Sequence, residues 1–183
     1  MNKMLTLVAI SAISMPAIAA EPNALYGSLG GGVYRLKSDG FRDTAPSVMV
    51  LGGYKLRENV AIEAAYTRLL DATDTIELTH VKVDGNVWDL STKVSYPMGD
   101  RFSPYGRLGW SYTDIRGVFT ENSIEGTITE RVNDYDDAFS WAVGTGIKLN
   151  ERFVLNAELG RVLINDADFD RLSLNLNYGF GSQ

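Results

Sequence analysis

Along the end of the chain, Leu172, Leu174, Leu176, Tyr178 and Phe180 alternate with Arg171, Ser173, Asn175, Asn177 and Gly179. Successive side chains of a β-strand point to opposite faces, so this spacing predicts a strand with one bulky apolar face and one small or polar face. The same period recurs upstream. Val48, Val50, Gly52 and Tyr54 share one face of a segment; Val60, Ile62, Ala64 and Tyr66 share a face of the next, with Ala61, Glu63, Ala65 and Thr67 opposite. Trp88, Leu90, Thr92, Val94 and Tyr96 alternate with Asp89, Ser91, Lys93 and Ser95, and Leu108, Trp110 and Tyr112 with Arg107, Gly109, Ser111 and Thr113. Phe139, Trp141, Val143 and Ile147 alternate with Ser140, Ala142, Gly144, Gly146 and Lys148, and Phe153, Leu155, Ala157 and Leu159 with Asn156, Glu158 and Gly160. A Gly-rich first segment, near Leu25 to Leu36, leaves its facing open. Together these make eight strands, an even number able to close up-and-down.

The connections alternate as well. Three are short, at Arg57-Glu58-Asn59, Met98-Gly99-Asp100-Arg101 and Asn150-Glu151-Arg152; four are longer, near Ser38 to Ala45, Asp71 to Gly85, Gly117 to Asp136 and Ile164 to Asp168. Short turns at one end and long loops at the other are the plan of an outer-membrane barrel whose long loops face outward from the cell. No heptads, internal repeats or second-domain linker are apparent.

Alternation alone also fits a secreted soluble barrel with its apolar face inward. Volume separates the two. An eight-stranded barrel has an interior just wide enough to be filled by side chains. The apolar faces carry Trp88, Trp110, Trp141, Phe139, Phe153, Tyr96, Tyr112, Tyr178 and Phe180, which would overfill it, whereas the opposite faces offer Gly, Ala, Ser, Thr and Asn with a few charges. A soluble exterior is normally dense in charge on every strand. The predicted fold is therefore all-β: an eight-stranded antiparallel up-and-down transmembrane β-barrel.

Composition adds the compartment. Of 183 residues, the first nineteen read as a secretory signal peptide: Lys3, an apolar stretch from Met4 to Ile13, a break at Ser14-Met15-Pro16 and a small-x-small site at Ala17-Ile18-Ala19. Residues 20–183 then form the barrel domain. The chain has no cysteine, so neither disulfides nor thiolate chemistry enter. Its formal charge of -6 becomes one unit more negative when Lys3 leaves with the leader, a poor match to nucleic acid.

Several segments resemble the small outer-membrane β-barrels of Gram-negative bacteria, the group containing OmpX and the barrel domain of OmpA. They are Tyr26-Gly27-Ser28-Leu29-Gly30-Gly31-Gly32, Leu51-Gly52-Gly53-Tyr54, Ile62-Glu63-Ala64-Ala65-Tyr66, Pro104-Tyr105-Gly106-Arg107-Leu108-Gly109 and Leu176-Asn177-Tyr178-Gly179-Phe180. The resemblance implies insertion by the barrel-assembly machinery, a monomer, and a non-enzymatic role at the surface in adhesion, serum resistance or envelope integrity. Family members usually end on the aromatic residue that the machinery recognises; here Gly181, Ser182 and Gln183 follow Phe180.

Candidate chemistry is sparse. Glu63 and Lys93 face inward on adjacent strands at similar depth, Arg107 follows on the next strand, and Glu158 is inward on a later one. They read either as a polar permeation path or as an ion-pair network that fills the lumen, and buried charges are tolerated only when paired. The resemblance implies the second, structural role. His80 is the single histidine, so no multi-histidine metal site exists, and no Ser motif stands beside it for acyl-transfer chemistry. Asp166-Ala167-Asp168-Phe169-Asp170 starts like a calcium loop, but Arg171 stands where the turn glycine belongs and Asn177 where the bidentate Glu belongs. Asp134, Asp136 and Asp137 form another acidic cluster, read as a solvated rim, as a divalent-cation bridge to lipopolysaccharide or as a surface for basic partners. The third long loop is the candidate interaction element, with Phe119, Asn122, Ile124 and Glu125 near its tip and Thr, Val and Ile on both sides able to extend it as a hairpin. The expected protein has no catalytic residue, cofactor or metal. Its partners are outer-membrane lipid, lipopolysaccharide and an unidentified surface ligand. A narrow solute pore is the second reading and a lipid-modifying enzyme the third.

Overall fold

The computed structural model describes residues 25–38, 41–76, 79–123, 126–163 and 168–180; the leader and Gly181 to Gln183 lie outside them. Eight strands follow in chain order: β1 (Leu25–Ser38), β2 (Phe41–Arg57), β3 (Val60–Ile76), β4 (Thr79–Ser95), β5 (Phe102–Ser123), β6 (Gly126–Lys148), β7 (Phe153–Leu163) and β8 (Asp168–Gly179). Each pairs antiparallel with its neighbours, and β8 returns to β1, so the sheet is a closed barrel. The walk across paired residues runs from Leu25 through Tyr54, Ile62, Thr92, Leu108, Trp141, Arg161 and Asp170 to Arg35. One circuit thus climbs β1 from Leu25 to Arg35, a shear that tilts the strands by about 40°.

The short turns sit where the sequence places them. Gly99 takes the left-handed φ of 70° that favours glycine, and the Asn150 side chain accepts from the backbone N–H of Arg152 and Phe153 at 2.9 Å each. Three of the expected long loops are mostly strand, and the third forms the hairpin that its Thr, Val and Ile positions allow. Pairing continues to Ser38 opposite Phe41, Ile76 opposite Thr79 and Ser123 opposite Gly126. Outside the membrane, a continued ladder pairs backbone groups that a loop would leave to water. The fourth falls largely at residues 164–167, outside the described residues.

Facing agrees with the alternation in the middle of every strand. Leu29, Leu90 and Leu174 are 67%, 61% and 59% exposed on the outside, while Ser28, Ser91 and Ser173 point inward and are buried. The first strand's facing is also resolved: Leu25, Leu29 and Val33 lie outward, and Tyr26, Ser28 and Tyr34 are buried. On β1 the outward stretch without charge runs from Leu25 to Val33 and stops at Arg35, close to the ~9–11 residues a tilted strand needs to cross a bilayer. Tyr54, Tyr96, Phe102 and Phe180 are exposed near the turn end; Trp88, Trp110, Tyr112 and Phe139 are exposed on β4 to β6 near the other. These are the two aromatic belts of a membrane barrel.

The lumen is less polar than the sequence suggests. Tyr34, Ala45, Leu69, Val87, Ala138, Val162 and Phe169, drawn from seven strands, form one buried apolar cluster near the long-hairpin end. Tyr34 stacks on Phe169 with ring centroids 5.6 Å apart. A second apolar group, Tyr26, Met49, Leu51, Ala61 and Ala65, lines β1 to β3. Most residues of the first cluster have an outward polar neighbour in sequence: Arg35, Arg68, Asn86, Asp137, Arg161 and Asp170. At this rim the alternation has reversed phase. Above the hydrocarbon the outside meets water or headgroups, so the apolar face turns inward, as in a soluble barrel.

Leu174→Lys places a charge on the lipid face mid-strand and is expected to lower unfolding free energy in lipid vesicles by about 2–4 kcal/mol, whereas Leu163→Lys, at the rim, costs ~0–1 kcal/mol. Denaturant titration of both variants checks this; equal costs contradict the membrane placement.

Candidate functional site

Two regions concentrate polar groups: the lumen and the strands that rise above the barrel. In the lumen, Arg107 on β5 lies between two carboxylates, Glu63 on β3 and Glu158 on β7, at 3.3 and 2.6 Å. Lys93 on β4 stands 3.6 Å from Glu63 and 4.0 Å from the centre of the Tyr105 ring. The structure therefore brings together the four inward charges singled out in the sequence. It adds two more. Arg171 on β8 reaches Glu158 at 3.3 Å and Asp89 on β4 at 3.4 Å, and donates to the Thr67 hydroxyl at 3.2 Å. Asp89 also accepts from Ser111. Three carboxylates, Glu63, Asp89 and Glu158, thus face three cations, Lys93, Arg107 and Arg171. Buried ions are tolerable in such an arrangement because the opposite charge and remaining hydrogen bonds replace lost hydration.

Two tyrosines complete the layer. Tyr26 donates to Glu63 at 2.5 Å, and Tyr105 donates to Glu158 at 3.1 Å. Each phenol ring lies against a glycine directly across the ladder, Gly53 and Gly144. A Cβ at Gly53 would meet the Tyr26 ring at 2.1 Å, and one at Gly144 would meet Tyr105 at 2.6 Å. The next residues across are Glu63 and Glu158, then Ser91 and Ser173. Strands β1 to β4 and β5 to β8 therefore carry the same row, Tyr-Gly-Glu-Ser. This is an internal repeat, contrary to the reading of the sequence. Its trace is Tyr26-Gly27-Ser28-Leu29-Gly30 against Tyr105-Gly106-Arg107-Leu108-Gly109, and Leu90-Ser91 with Tyr96 against Leu172-Ser173 with Tyr178. Those matches were the available signal for Tyr26 and Tyr105. Asp89 and Arg171 occupy equivalent places in the repeat with opposite charge.

The lumen is asymmetric along its axis. On the turn side the ionic layer opens into a cavity of about 400 Å³ whose walls include Tyr26, Lys93, Tyr105, Asn156 and Asn177. On the hairpin side the apolar cluster covers it, with a residual void of about 10 Å³ beside Asp89 and Arg171.

Above the barrel, among the described residues, the pairing of β2 with β3 ends at Ser47 opposite Leu69, and that of β6 with β7 at Ser140 opposite Val162. Strands β3 to β6 continue as a four-stranded sheet. Phe119 on β5 lies opposite Val81 and Glu130, and Asn122 opposite Thr127; Ile124 and Glu125 lie outside the described residues. His80 sits on β4 opposite Thr75 and Thr120. Asp134, Asp136 and Asp137 are on β6, where Asp137 accepts from the Trp110 indole at 2.9 Å. Asp170 forms a two-pronged pair with Arg161, at 2.6 and 3.0 Å, and Asp166 and Ala167 lie outside the described residues. Among the described residues, no group of three or more His, Cys, Asp or Glu side chains is placed to hold a metal ion.

A closed antiparallel barrel with a lipid-facing apolar band, two aromatic belts and a charge-filled lumen defines an outer-membrane β-barrel protein. The sequence matches the family described as outer membrane protein beta-barrel domain over residues 5–180, and the chain belongs to that family. Among solved structures it is similar to Neisserial surface protein A, with a TM-score of 0.65 at 15% identity, covering 85% of this chain and 97% of that one. It is similar also to Ail, the attachment invasion locus protein of Yersinia pestis, with a TM-score of 0.63 at 15% identity, covering 87% and 100%. The N-terminal barrel of Pseudomonas aeruginosa OprF gives 0.56 at 17% identity, covering 84% and 97%. A comparison with curated protein sequences finds no match. The chain is accordingly a protein of the bacterial outer membrane.

Glu63→Ala leaves Lys93 and Arg107 short of a counter-charge and removes the acceptor of Tyr26. The expected loss is about 3–5 kcal/mol of unfolding free energy, read as a lower denaturant midpoint in detergent or lipid; an unchanged midpoint refutes a stabilising network.

Proposed function

We propose that the protein is a non-enzymatic surface protein whose filled barrel serves as a rigid anchor for acidic extracellular strands, acting in adhesion, interaction or envelope integrity. The observation that carries this reading is the double closure of the lumen. Arg107 and Arg171 tie its walls together through buried carboxylates, and the Tyr34–Phe169 cluster covers the outward end. Binding elements placed on a rigid scaffold are a common use of such a fold. In this reading the outer wall meets lipopolysaccharide at the level of Arg68 and Arg116, whose side chains are 37% and 51% exposed beside Asp84 and Asp114. The protein is a monomer inserted by the barrel-assembly machinery. The Ail structure was solved with the heparin analogue sucrose octasulfate; a surface ligand of some kind is carried over here, but its chemistry is not.

The cavity on the turn side favours the narrow-pore reading for half of the lumen, so conductance is the direct test. Reconstituted in planar bilayers, the protein is expected to show no steady current, and Arg107→Ala to stay closed because the apolar cluster remains. A steady wild-type conductance that disappears when Glu63 or Arg107 is changed establishes the pore instead. Shortening the hairpin over residues 117–136 is expected to alter cell attachment while leaving the heat-dependent gel mobility of the barrel intact. A lipid A mass spectrum that changes with the protein present supports the enzyme reading.

A further inference from the structure

Charge is spread unevenly along the inside of the barrel. On the turn side of the ionic layer, the inward strand positions hold three lysines: Lys55 on β2, Lys93 on β4 and Lys148 on β6. Their neighbours fix the facing. Tyr54 and Leu56 flank Lys55, Ile147 and Leu149 flank Lys148, and Val94 follows Lys93, all exposed on the outer wall. An outward lysine at a barrel end lays its stem on apolar surface and reaches headgroups; these three line the turn-side cavity instead. Among the described residues, no Asp or Glu takes an inward strand position on that side.

The carboxylates of the ionic layer do not neutralise this region. Glu63 and Glu158 are not among the cavity walls; they accept from Tyr26 and Tyr105 and face Arg107. Lys93 keeps one ion pair, to Glu63 at 3.6 Å, and Lys55 and Lys148 form none among the described residues. Lys55 and Lys93 share one register row, with only Ala61 between them. Two strand spacings put their backbones about 10 Å apart, and the short alanine leaves both ammonium groups room to meet one anion. Glu58, Asp100 and Glu151 also reach the walls, but they are exposed on the turns at the mouth, where water and salt screen them. Charges inside a low-dielectric cleft act more strongly than those on its rim.

We infer that the turn-side cavity is a binding site for a small, multiply charged oxyanion, held by Lys55, Lys93 and Lys148. Its volume of about 400 Å³ is that of a small-molecule site. Asn156 and Asn177 on the β7 and β8 walls add amide donors for further oxygens. Lysines are compact point charges, so they select charge and size rather than one planar geometry. Phosphates and clustered carboxylates share that chemistry. This site lies at the opposite end of the barrel from the hairpins, and it stands or falls separately from the surface-interaction reading.

The test is isothermal titration of the full barrel, in phosphatidylcholine nanodiscs, with pyrophosphate, citrate and acetate. Pyrophosphate or citrate is expected to bind saturably and more weakly as salt is added, and the tighter of the two assigns phosphate or carboxylate. Acetate is expected to bind at least tenfold more weakly than that probe. The variant Lys55→Gln/Lys148→Gln leaves the ionic layer intact and is expected to lose at least tenfold in affinity, with heat-dependent gel mobility confirming that it is folded. Arg35→Gln, on the outer face near the hairpin end, is expected to bind as the wild type does. Absence of binding by both pyrophosphate and citrate overturns the proposal, as does a folded lysine variant of unchanged affinity. An equal loss in Arg35→Gln means adsorption by overall charge and overturns the site. Equal binding of acetate overturns the selection for multiple charge.

Discussion

Everything in this protein follows from closing the sheet on itself. A strand crossing lipid must satisfy every backbone N–H and C=O within the protein, and only a closed ladder does so without helices. Closure with eight strands and a climb from Leu25 to Arg35 fixes the width of the lumen and the tilt of the strands. The width then dictates the contents. Inward positions must be small, or must be large side chains that find room against a glycine. Tyr26 on Gly53 and Tyr105 on Gly144 are the second solution, and they aim their hydroxyls at the two glutamates that Arg107 joins.

The eight strands, their order and their lipid-facing sides were legible because one physical rule, alternation against lipid, operates on every strand. The inward charges Glu63, Lys93, Arg107 and Glu158 were legible for the same reason: an ionisable residue in a small-residue row stands out. Asp89 was assigned to the inner face but not to the network. Its partner Arg171 lies on β8, and nothing local connects the two. The tyrosines were hidden by register. Tyr26 and Gly53 become neighbours only when β1 and β2 are aligned. The apolar cluster was hidden because the hydrophobic pattern, not the facing, inverts at the rim: where Arg68 faces out and Leu69 faces in, the mid-membrane rule of apolar out and polar in assigns both to the wrong side. The hairpin of β5 and β6 was legible in its Thr, Val and Ile, whereas the first two were underestimated because polar sequence has the composition of a loop, while pairing beyond the membrane needs no apolar stripe.

The repeated Tyr-Gly-Glu-Ser row also shows how asymmetry enters a quasi-symmetric barrel. Both halves provide the same acceptor and the same phenol. They differ at the positions matched by the repeat: Lys93 on β4 corresponds to Asn175 on β8, Arg107 on β5 to Ser28 on β1, and Asp89 on β4 to Arg171 on β8. Cations thus gather near β4 and β5 on the turn side, and a single cation, Arg171, crosses from β8 to the β4 wall.

The cavity on the turn side has an electrical meaning. With the short turns on the periplasmic side, as in the proposed reading, solvent entering it from there reaches the walls formed by Lys93 and Tyr105, so the aqueous phase extends into the barrel alongside hydrocarbon. The insulating part of the protein is then only the ionic layer and the apolar cluster above it. Across its own axis this barrel is a thinner dielectric than the bilayer that surrounds it, and a potential difference between the two compartments falls mainly over the outward half of the lumen.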